Sequence, residues 1–187
     1  MERTMKYNTK TESAVKNALL GLLAKKPLSD VTVSELARAA GVSRSTFYEH
    51  FGNPGDVFEA LVDEIADEMS PLMSQVACSD GFRPQGRPFC SLVRDAGERA
   101  PVVCEQRFMD AFLTRHDAPE GHDLYELLVG VGYTEVQAKA LCSFQMSGCF
   151  AAARTTKVSE EEWVEVRAAI DRFILGGIAA CLAAKHR

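Results

Sequence analysis

Hydrogen-bond donors crowd one short stretch of the chain between positions 43 and 48. Five of its six side chains carry a hydroxyl or a guanidinium group: Ser43, Arg44, Ser45, Thr46 and Tyr48. Hydroxyls and helix N-termini bind phosphate, and an arginine can bond two acceptors of guanine at once. A helix of an ordinary bundle would carry acids and lysines here. The stretch therefore favours a surface that reads DNA over a packing helix of a bundle.

Two short helices joined by a glycine turn are predicted to position these donors. Thr32 or Ser34 can cap the first helix, and Ser43 can cap the second. Gly41 follows the first helix, where a chain often needs a left-handed residue. Phe47 is predicted to face inward from the second helix. This pattern indicates a helix-turn-helix.

Further helices are predicted on both sides of this motif. An amphipathic helix is expected from about residue 9 to 25, and Pro27 stops it. After the motif, Asn53 can cap a helix that begins at Pro54 and runs to about Met69. Its inward stripe comprises Val57, Phe58, Leu61, Val62 and Ile65.

Residues 31–51, with the preceding helix and residues 53–58, resemble the N-terminal domain of the tetracycline-repressor (TetR/AcrR) family of transcriptional regulators. The matching block is Thr32-Val33, Leu36-Ala37, Ala40-Gly41-Val42-Ser43, Thr46-Phe47-Tyr48 and His50-Phe51. The resemblance covers about residues 10–65. Beyond it the family shares architecture but little sequence.

The resemblance implies a homodimer that binds a pseudo-palindromic DNA operator and acts as a ligand-responsive repressor. It places Arg44 and Ser45 at base edges. It also implies phosphate contacts from Thr32, Ser43, Thr46, Tyr48 and His50. The family usually has a phosphate-binding lysine at the start of the fourth helix, where this chain has Pro54. Either operator affinity is weaker for that reason, or Lys10, Lys25 and Lys26 replace the missing charge.

Charge is distributed unevenly along the chain. The formal net charge is −5, which alone would argue against a nucleic-acid partner. Residues 1–52, however, carry eight basic and five acidic side chains, a net of +3, and residues 53–187 carry a net of −8. The sequence therefore describes a basic head on an acidic body.

The overall pattern predicts an all-α fold, since helical periodicity dominates and strand-like alternation is almost absent. Further helices are predicted at about 89–98, 102–116, 121–130, 134–155 and 159–184. With the resemblance, residues 1–53 are expected to form a three-helix helix-turn-helix DNA-binding domain. Residues 54–187 are expected to form a helical ligand-binding and dimerisation domain.

The last two predicted helices combine small residues with a long apolar stripe, which must be covered. Ordinary core is one interpretation. The family instead pairs these helices with their symmetry mates in a four-helix bundle, and this is the interpretation we favour. The expected interface comprises Phe144, Gly148, Ala152, Ile170, Phe173, Ile174, Gly177, Ile178 and Cys181.

A pocket for an unidentified small-molecule effector is expected inside the body of the chain. Its candidate walls are Cys104, Phe108, Met109, Phe112, Tyr125, Phe144 and Met146, although ordinary core is the favoured interpretation for any one of them. His116 and His122 could bind a metal, but a solvated loop is the favoured interpretation. No metal and no cofactor are expected.

The sequence leaves two other functions open. A co-regulator that acts mainly through a protein partner remains open, as does a thiol sensor built on Cys142 and Cys149, seven residues apart. No nucleophile elbow, phosphate loop or HExxH motif supports an enzyme. The polar N-terminus and the lack of a long apolar run favour a cytoplasmic location and no membrane partner.

Overall fold

The computed structural model describes residues 2–69, 73–74, 87–115 and 123–184. Ten α-helices account for most of these residues, which confirms the all-α prediction. They are α1 (Glu2–Leu23), α2 (Val33–Ala40), α3 (Arg44–Tyr48), α4 (Pro54–Met69), α5 (Phe89–Arg94), α6 (Ala100–Val103), α7 (Gln106–Arg115), α8 (Asp123–Gly130), α9 (Glu135–Thr155) and α10 (Glu160–Ala184). One-turn 3-10 helices lie at Leu28–Asp30 and Gly97–Arg99.

Two very short strands were not predicted. β1 (Met73–Ser74) and β2 (Arg87–Pro88) pair in parallel, with Met73 opposite Arg87 and Ser74 opposite Pro88. Each is only two residues long. Such a pair leaves no alternating pattern in the sequence by which it could be recognised.

The described residues form two compact units. The first comprises Met1–Asp67 with Ala96–Phe108, and the second comprises Glu68–Asp95 with Met109–Arg187. These units are groups of residues that contact one another. The expected domains, 1–53 and 54–187, are instead a DNA-binding region and a ligand-binding and dimerisation region. The functional boundary stays a prediction.

The core of the first unit is built from one apolar face of each helix. Val15 and Leu19 of α1, Leu36 of α2 and Phe47 of α3 are fully buried. All five apolar residues predicted to face inward from α4 are buried too: Val57, Phe58, Leu61, Val62 and Ile65. The helical spacing of apolar residues thus correctly identified this core.

One predicted helix is divided in the structure. The expected helix at 102–116 is two helices, α6 and α7, separated by Cys104 and Glu105. The predicted helix at 89–98 ends at Arg94, since Gly97 adopts a positive φ of 56°. Pro101 lies in the first turn of α6, where its missing N–H costs no hydrogen bond.

Aromatic stacking and one arginine organise the second unit. Phe89 of α5 stacks on Phe112 of α7, with ring centroids 5.1 Å apart, and on Phe150 of α9 at 6.4 Å. Arg94, at the end of α5, donates to the carbonyls of Thr156 and Val158 in the α9–α10 connection. These contacts join α5 to the helical hairpin of α9 and α10.

Candidate nucleic-acid interface

The turn between α2 and α3 has the geometry that the sequence predicts. Thr32 caps α2, and its hydroxyl oxygen accepts from the Glu35 N–H at 3.2 Å. Gly41 adopts the left-handed conformation, with φ 69° and ψ 29°. The Val42 N–H then donates to the carbonyl oxygen of Ala37 at 3.0 Å. The chain therefore reverses within two residues and starts α3 at a defined angle.

A network of hydroxyls surrounds the start of α3. The Ser43 side chain caps the helix by accepting from the Thr46 N–H at 3.0 Å. Its oxygen also lies 2.8 Å from the Ser45 hydroxyl and 2.9 Å from the Thr46 hydroxyl. Phe47, on the opposite side of the helix, is fully buried. One side of α3 is thus anchored in the core, and its polar residues lie at the surface.

The predicted DNA-contacting residues of this motif are largely accessible. Thr32, Ser43, Arg44 and Ser45 are exposed, and Thr46 is half-buried. Tyr48 is 51% exposed, although its ring also makes an edge contact with Phe47. The structure therefore brings Ser43, Arg44, Ser45, Thr46 and Tyr48 together on one helix, with Thr32 at the start of the helix before it.

His50 differs from the rest of the set. Its side chain is only 5% exposed, and its Nδ1 lies 3.2 Å from Oε1 of Glu12 on α1. The structure thus directs this imidazole at another helix of the same unit, and it does not bring His50 together with the exposed donors of α3.

The start of α4 is capped by its own side chains. Oδ1 of Asn53 accepts from the N–H groups of Gly55 and Asp56, at 2.7 and 3.2 Å, as its predicted capping role requires. Asp56 in turn accepts from the Gly52 N–H at 2.9 Å. Three amides near the position of the family lysine are therefore already bonded to side chains of this chain.

The lysines considered as substitutes for that charge differ in their surroundings. Lys10 and Lys25 are exposed. Lys26 forms an ion pair with Glu35 and donates to the carbonyl oxygen of Asp30 at 2.8 Å. The hydrogen bond from Lys26 is the main reason why the pKa of Glu35 lies below its ordinary value. Lys26 is thus engaged within its own unit, whereas Lys10 and Lys25 project from the surface.

The residues expected at a dimer interface include two highly exposed rings. Phe144 of α9 is 71% exposed and Phe173 of α10 is 76% exposed. Gly148 and Gly177 are exposed, and Ala152, Ile170, Ile174 and Ile178 are half-buried. The side chain of Cys181 lies outside those that the structure describes. The described members therefore lie on α9 and α10 and include apolar surface that this chain leaves open.

The candidate pocket residues are divided between the two units and differ in exposure. Cys104 and Phe108 belong to the first unit, and the other five belong to the second. Phe108, Met109, Phe112 and Met146 are buried, and Tyr125 packs against a cluster of Leu124, Leu128, Ala138 and Cys142. Phe144 alone of the seven lines an open groove of about 500 Å³ along α8, α9 and α10. Their role in effector binding stays a prediction.

The described residues hold no cluster of metal-binding side chains. His116 and His122, the metal candidates from the sequence, lie outside the described residues. Cys90, Cys104, Cys142 and Cys149 are not joined in disulfides. Burial raises the pKa of the Cys142 thiol, which makes its reactive thiolate scarcer at neutral pH.

The first unit carries the match to a known family. Residues 17–61 match the family model of the bacterial regulatory proteins of the tetR family. These residues include the second half of α1, the α2–turn–α3 motif and the first half of α4. Over residues 17–61, the chain therefore resembles the tetR family. The exposed donors and the capped α3 lie within this matched segment.

Individual relatives cover different parts of the chain. The HTH-type transcriptional regulator EthR of Mycobacterium tuberculosis is 33% identical over 66 residues, which is 35% of this chain and 31% of that protein. The nucleoid occlusion factor SlmA of Idiomarina loihiensis is 25% identical over 105 residues, 56% of this chain and 54% of that protein. The chain thus spans about a third of the EthR length and about half of SlmA.

One solved structure aligns with most of the chain, but with low sequence identity and a low TM-score. The TetR family repressor AlkX from Dietzia sp. strain DQ12-45-1b is 20% identical, with a TM-score of 0.40, over 94% of this chain and 95% of that one. Among the described residues, no helix is both long and apolar enough to cross a membrane.

Proposed function

We propose that this chain is a transcriptional repressor of the tetR family that reads an operator in DNA with α3. The observation that carries the proposal is the arrangement of α3, with Phe47 buried on one side and Arg44, Ser45 and Tyr48 accessible. A helix that enters the major groove needs this division between an anchored side and a reading side. Arg44 and Ser45 then contact base edges, while Thr32, Ser43, Thr46 and Tyr48 contact phosphates.

The repressor is proposed to act as a homodimer on a pseudo-palindromic site. A reading helix of five residues contacts only a few base pairs, so one head gives little specificity. Two-fold pairing through α9 and α10 would present two heads to successive major-groove faces. The exposure of Phe144 and Phe173 supports this pairing, because a partner helix would cover both rings.

A small-molecule effector is proposed to release the DNA by binding in the C-terminal body. Its effect is limited by the difference between its affinities for the DNA-binding state and for the released state. The candidate walls remain the residues expected from the sequence. An effector screen is therefore best run by loss of DNA binding, which makes no assumption about the site.

The experiment that tests the proposal is selection of DNA by the purified full chain from a random-sequence duplex library. Fluorescence anisotropy at two salt concentrations then compares the selected duplex with a scrambled one. A specific regulator is expected to prefer the selected duplex by about 1,000-fold or more, with affinity falling steeply as salt rises. Selection that enriches no sequence would refute the proposal.

A second candidate function is a role exerted mainly through a protein partner. The match to SlmA supports considering a role other than transcriptional control, because that protein is named as a nucleoid occlusion factor and not as a transcriptional regulator, and the match extends over 105 residues. A pull-down with the full chain discriminates the two functions. A stoichiometric protein partner, together with no enriched DNA sequence, is the result expected of a co-regulator.

A further inference from the structure

One polar contact links the end of α3 to α1. The imidazole Nδ1 of His50 lies 3.2 Å from Oε1 of Glu12, across 38 residues of sequence. His50 directly follows Glu49, the C-cap residue of α3. The backbone turn continues through it, since the N–H of Phe51 donates to the carbonyl oxygen of Phe47 at 2.9 Å. The contact therefore acts on the C-terminal turn of the reading helix.

Two lysine–carboxylate pairs of the same unit involve a lysine of α1 or of the turn that follows it. Lys16 pairs with Glu64 on α4, and Lys26 pairs with Glu35 on α2. Lysine–carboxylate pairs keep both charges across the neutral range. Histidine is the side chain that ordinarily changes charge between about pH 5 and 8. Of these three contacts, the one at the end of α3 is thus the one that can exist as either a neutral or a charge-assisted hydrogen bond.

We propose that His50 is a positioning residue for DNA binding: through Glu12 it fixes the end of α3 against α1 more firmly when the imidazole is protonated. A protonated imidazole and a carboxylate form a charge-assisted hydrogen bond, which is stronger than the neutral one. Affinity for DNA therefore rises as pH falls through the neutral range. The inference rests on the proposed function, because DNA affinity is its readout.

The charged groups around His50 leave Glu12 as its partner. On α1, Lys10 is exposed, and Lys16 is paired with Glu64. On its own segment, the neighbouring Glu49 is exposed. In the turn that follows, the Asp56 carboxylate accepts from the Gly52 N–H and from the Asn53 amide.

A direct phosphate contact by His50, which the family resemblance implies, predicts a different result. A protonated imidazole on phosphate would also bind DNA more tightly at low pH, but without any need for Glu12. It would add a released counterion and so steepen the salt dependence. A positioning role needs Glu12 and leaves the salt dependence unchanged.

The test measures the affinity of the full chain for a library-selected duplex between about pH 6 and pH 8. The variants are Glu12→Gln and His50→Gln, with Glu64→Gln as the matched control that breaks the other α1 carboxylate pair. Wild type and Glu64→Gln are expected to bind about two- to fivefold more tightly at the lower pH, the range of a partly exposed ion pair. Glu12→Gln and His50→Gln are expected to lose this difference.

Two results would overturn the inference. One is a Glu12→Gln variant that keeps the wild-type pH dependence, which would mean that the imidazole acts on DNA itself. The other is a wild-type affinity that does not change with pH.

If the proposed function is wrong, the positioning role of His50 can still be tested in the protein without DNA. If no duplex is selected, hydrogen exchange at the Phe51 amide, corrected for the intrinsic effect of pH, decides the inference. Greater protection at the lower pH in wild type, absent in Glu12→Gln, supports the positioning role. Equal protection at both pH values refutes it.

Discussion

Gly41 and Ser43 set the direction in which α3 leaves the turn. Gly41 reverses the chain with a positive φ, and Ser43 closes the first turn of α3 through its bond to the Thr46 N–H. Both act on the backbone, and both are needed before Arg44 can project from the surface. The reading face thus depends on residues that need not touch a base.

Replacing Gly41 by Ala is expected to lower the free energy of unfolding by about 1–2 kcal/mol. No atom lies within 4 Å of an added Cβ, so the cost comes from the left-handed backbone alone. Gly21→Ala is the matched control, because Gly21 lies within helical α1 and also has open space around it. It is expected to gain about 0.5–1 kcal/mol. Urea unfolding measures both, and equal effects would contradict the argument.

Arg44→Ala is expected to weaken operator binding by about 1–3 kcal/mol and to relax the preference at one base pair. The reason is loss of a two-bond contact to a guanine edge. Arg38→Ala, which removes an exposed arginine from α2, serves as control and keeps the sequence preference. Anisotropy with a panel of single-base operator variants measures the effect. A uniform loss on all sequences would instead make Arg44 a phosphate contact.

Cys142 is expected to react slowly with iodoacetamide at neutral pH, more slowly than the half-buried Cys104. Burial raises the pKa of the Cys142 thiol, so little thiolate is present. Because burial raises the pKa only in the folded state, the stability of the fold is complete below the ordinary cysteine pKa and falls as pH rises from that pKa through the raised one. Peptide mass spectrometry after timed labelling measures the rate, and rapid labelling of Cys142 would favour the thiol-sensor hypothesis.

Residue-level features could be predicted where they depend on near neighbours. The caps at Thr32, Ser43 and Asn53 and the turn at Gly41 each involve partners within a few residues, so their types indicate their roles. The bond between His50 and Glu12 could not be predicted, because it depends on how α1 lies against the end of α3. Family resemblance placed His50 with the phosphate contacts, and that role remains untested.

At the scale of elements, the contacts of Arg94 join α5 to the α9–α10 connection. The guanidinium donates to the carbonyls of Thr156 and Val158 and to the Glu160 carboxylate at 2.7 Å. It also lies over the Trp163 ring, 4.5 Å from the centroid. A planar, multidentate cation suits this site, because lysine could not satisfy several acceptors and stack at once.

Arg94→Ala is expected to destabilise the chain by about 2–4 kcal/mol, since it removes largely buried hydrogen bonds and a stacked cation together. Arg107→Ala is the control. The ion pair between Arg107 and Glu59 is well exposed on both sides, so its loss is expected to cost less than about 1 kcal/mol. Thermal and urea unfolding compare the two variants. Similar losses would show that Arg94 does not hold the hairpin.

The starts of α9 and α10 and the full extent of α4 follow from apolar spacing. In contrast, α1 begins at Glu2, seven residues before its predicted start, and the capping box of Thr134 at the start of α9 was not among the predicted caps. The break between α6 and α7 escaped prediction, because the apolar pattern continues across Cys104. The contacts of Arg94 join residues more than 60 positions apart, and no local pattern encodes them.

At the scale of the whole molecule, the exposed face of α9 and α10 is the feature to explain. Phe144 and Phe173 line the same groove, and Leu141 beside them is also exposed. Large apolar patches on soluble proteins mark interaction sites. A second copy of the chain is the occupant that the proposed function assigns to this face.

Phe173→Asp is expected to convert the proposed dimer to monomer by raising the dissociation constant about 100-fold or more, because a buried carboxylate would lack a partner. Val136→Asp is the matched control: Val136 is 78% exposed, like Phe173, but lies outside the predicted interface. Light scattering coupled to size-exclusion chromatography gives the mass. A wild-type monomer, or a Phe173→Asp dimer, would contradict the interface.

The open phenylalanines also bear on how such a regulator would respond to its own abundance. Where most chains are unpaired, the amount of proposed dimer grows with the square of the chain concentration, so halving expression would leave roughly a quarter of the active form. Occupancy of a target promoter would then change more steeply than the concentration of the chain. A twofold change in gene dosage would change the amount of dimer about fourfold, with no change in any contact to the bases.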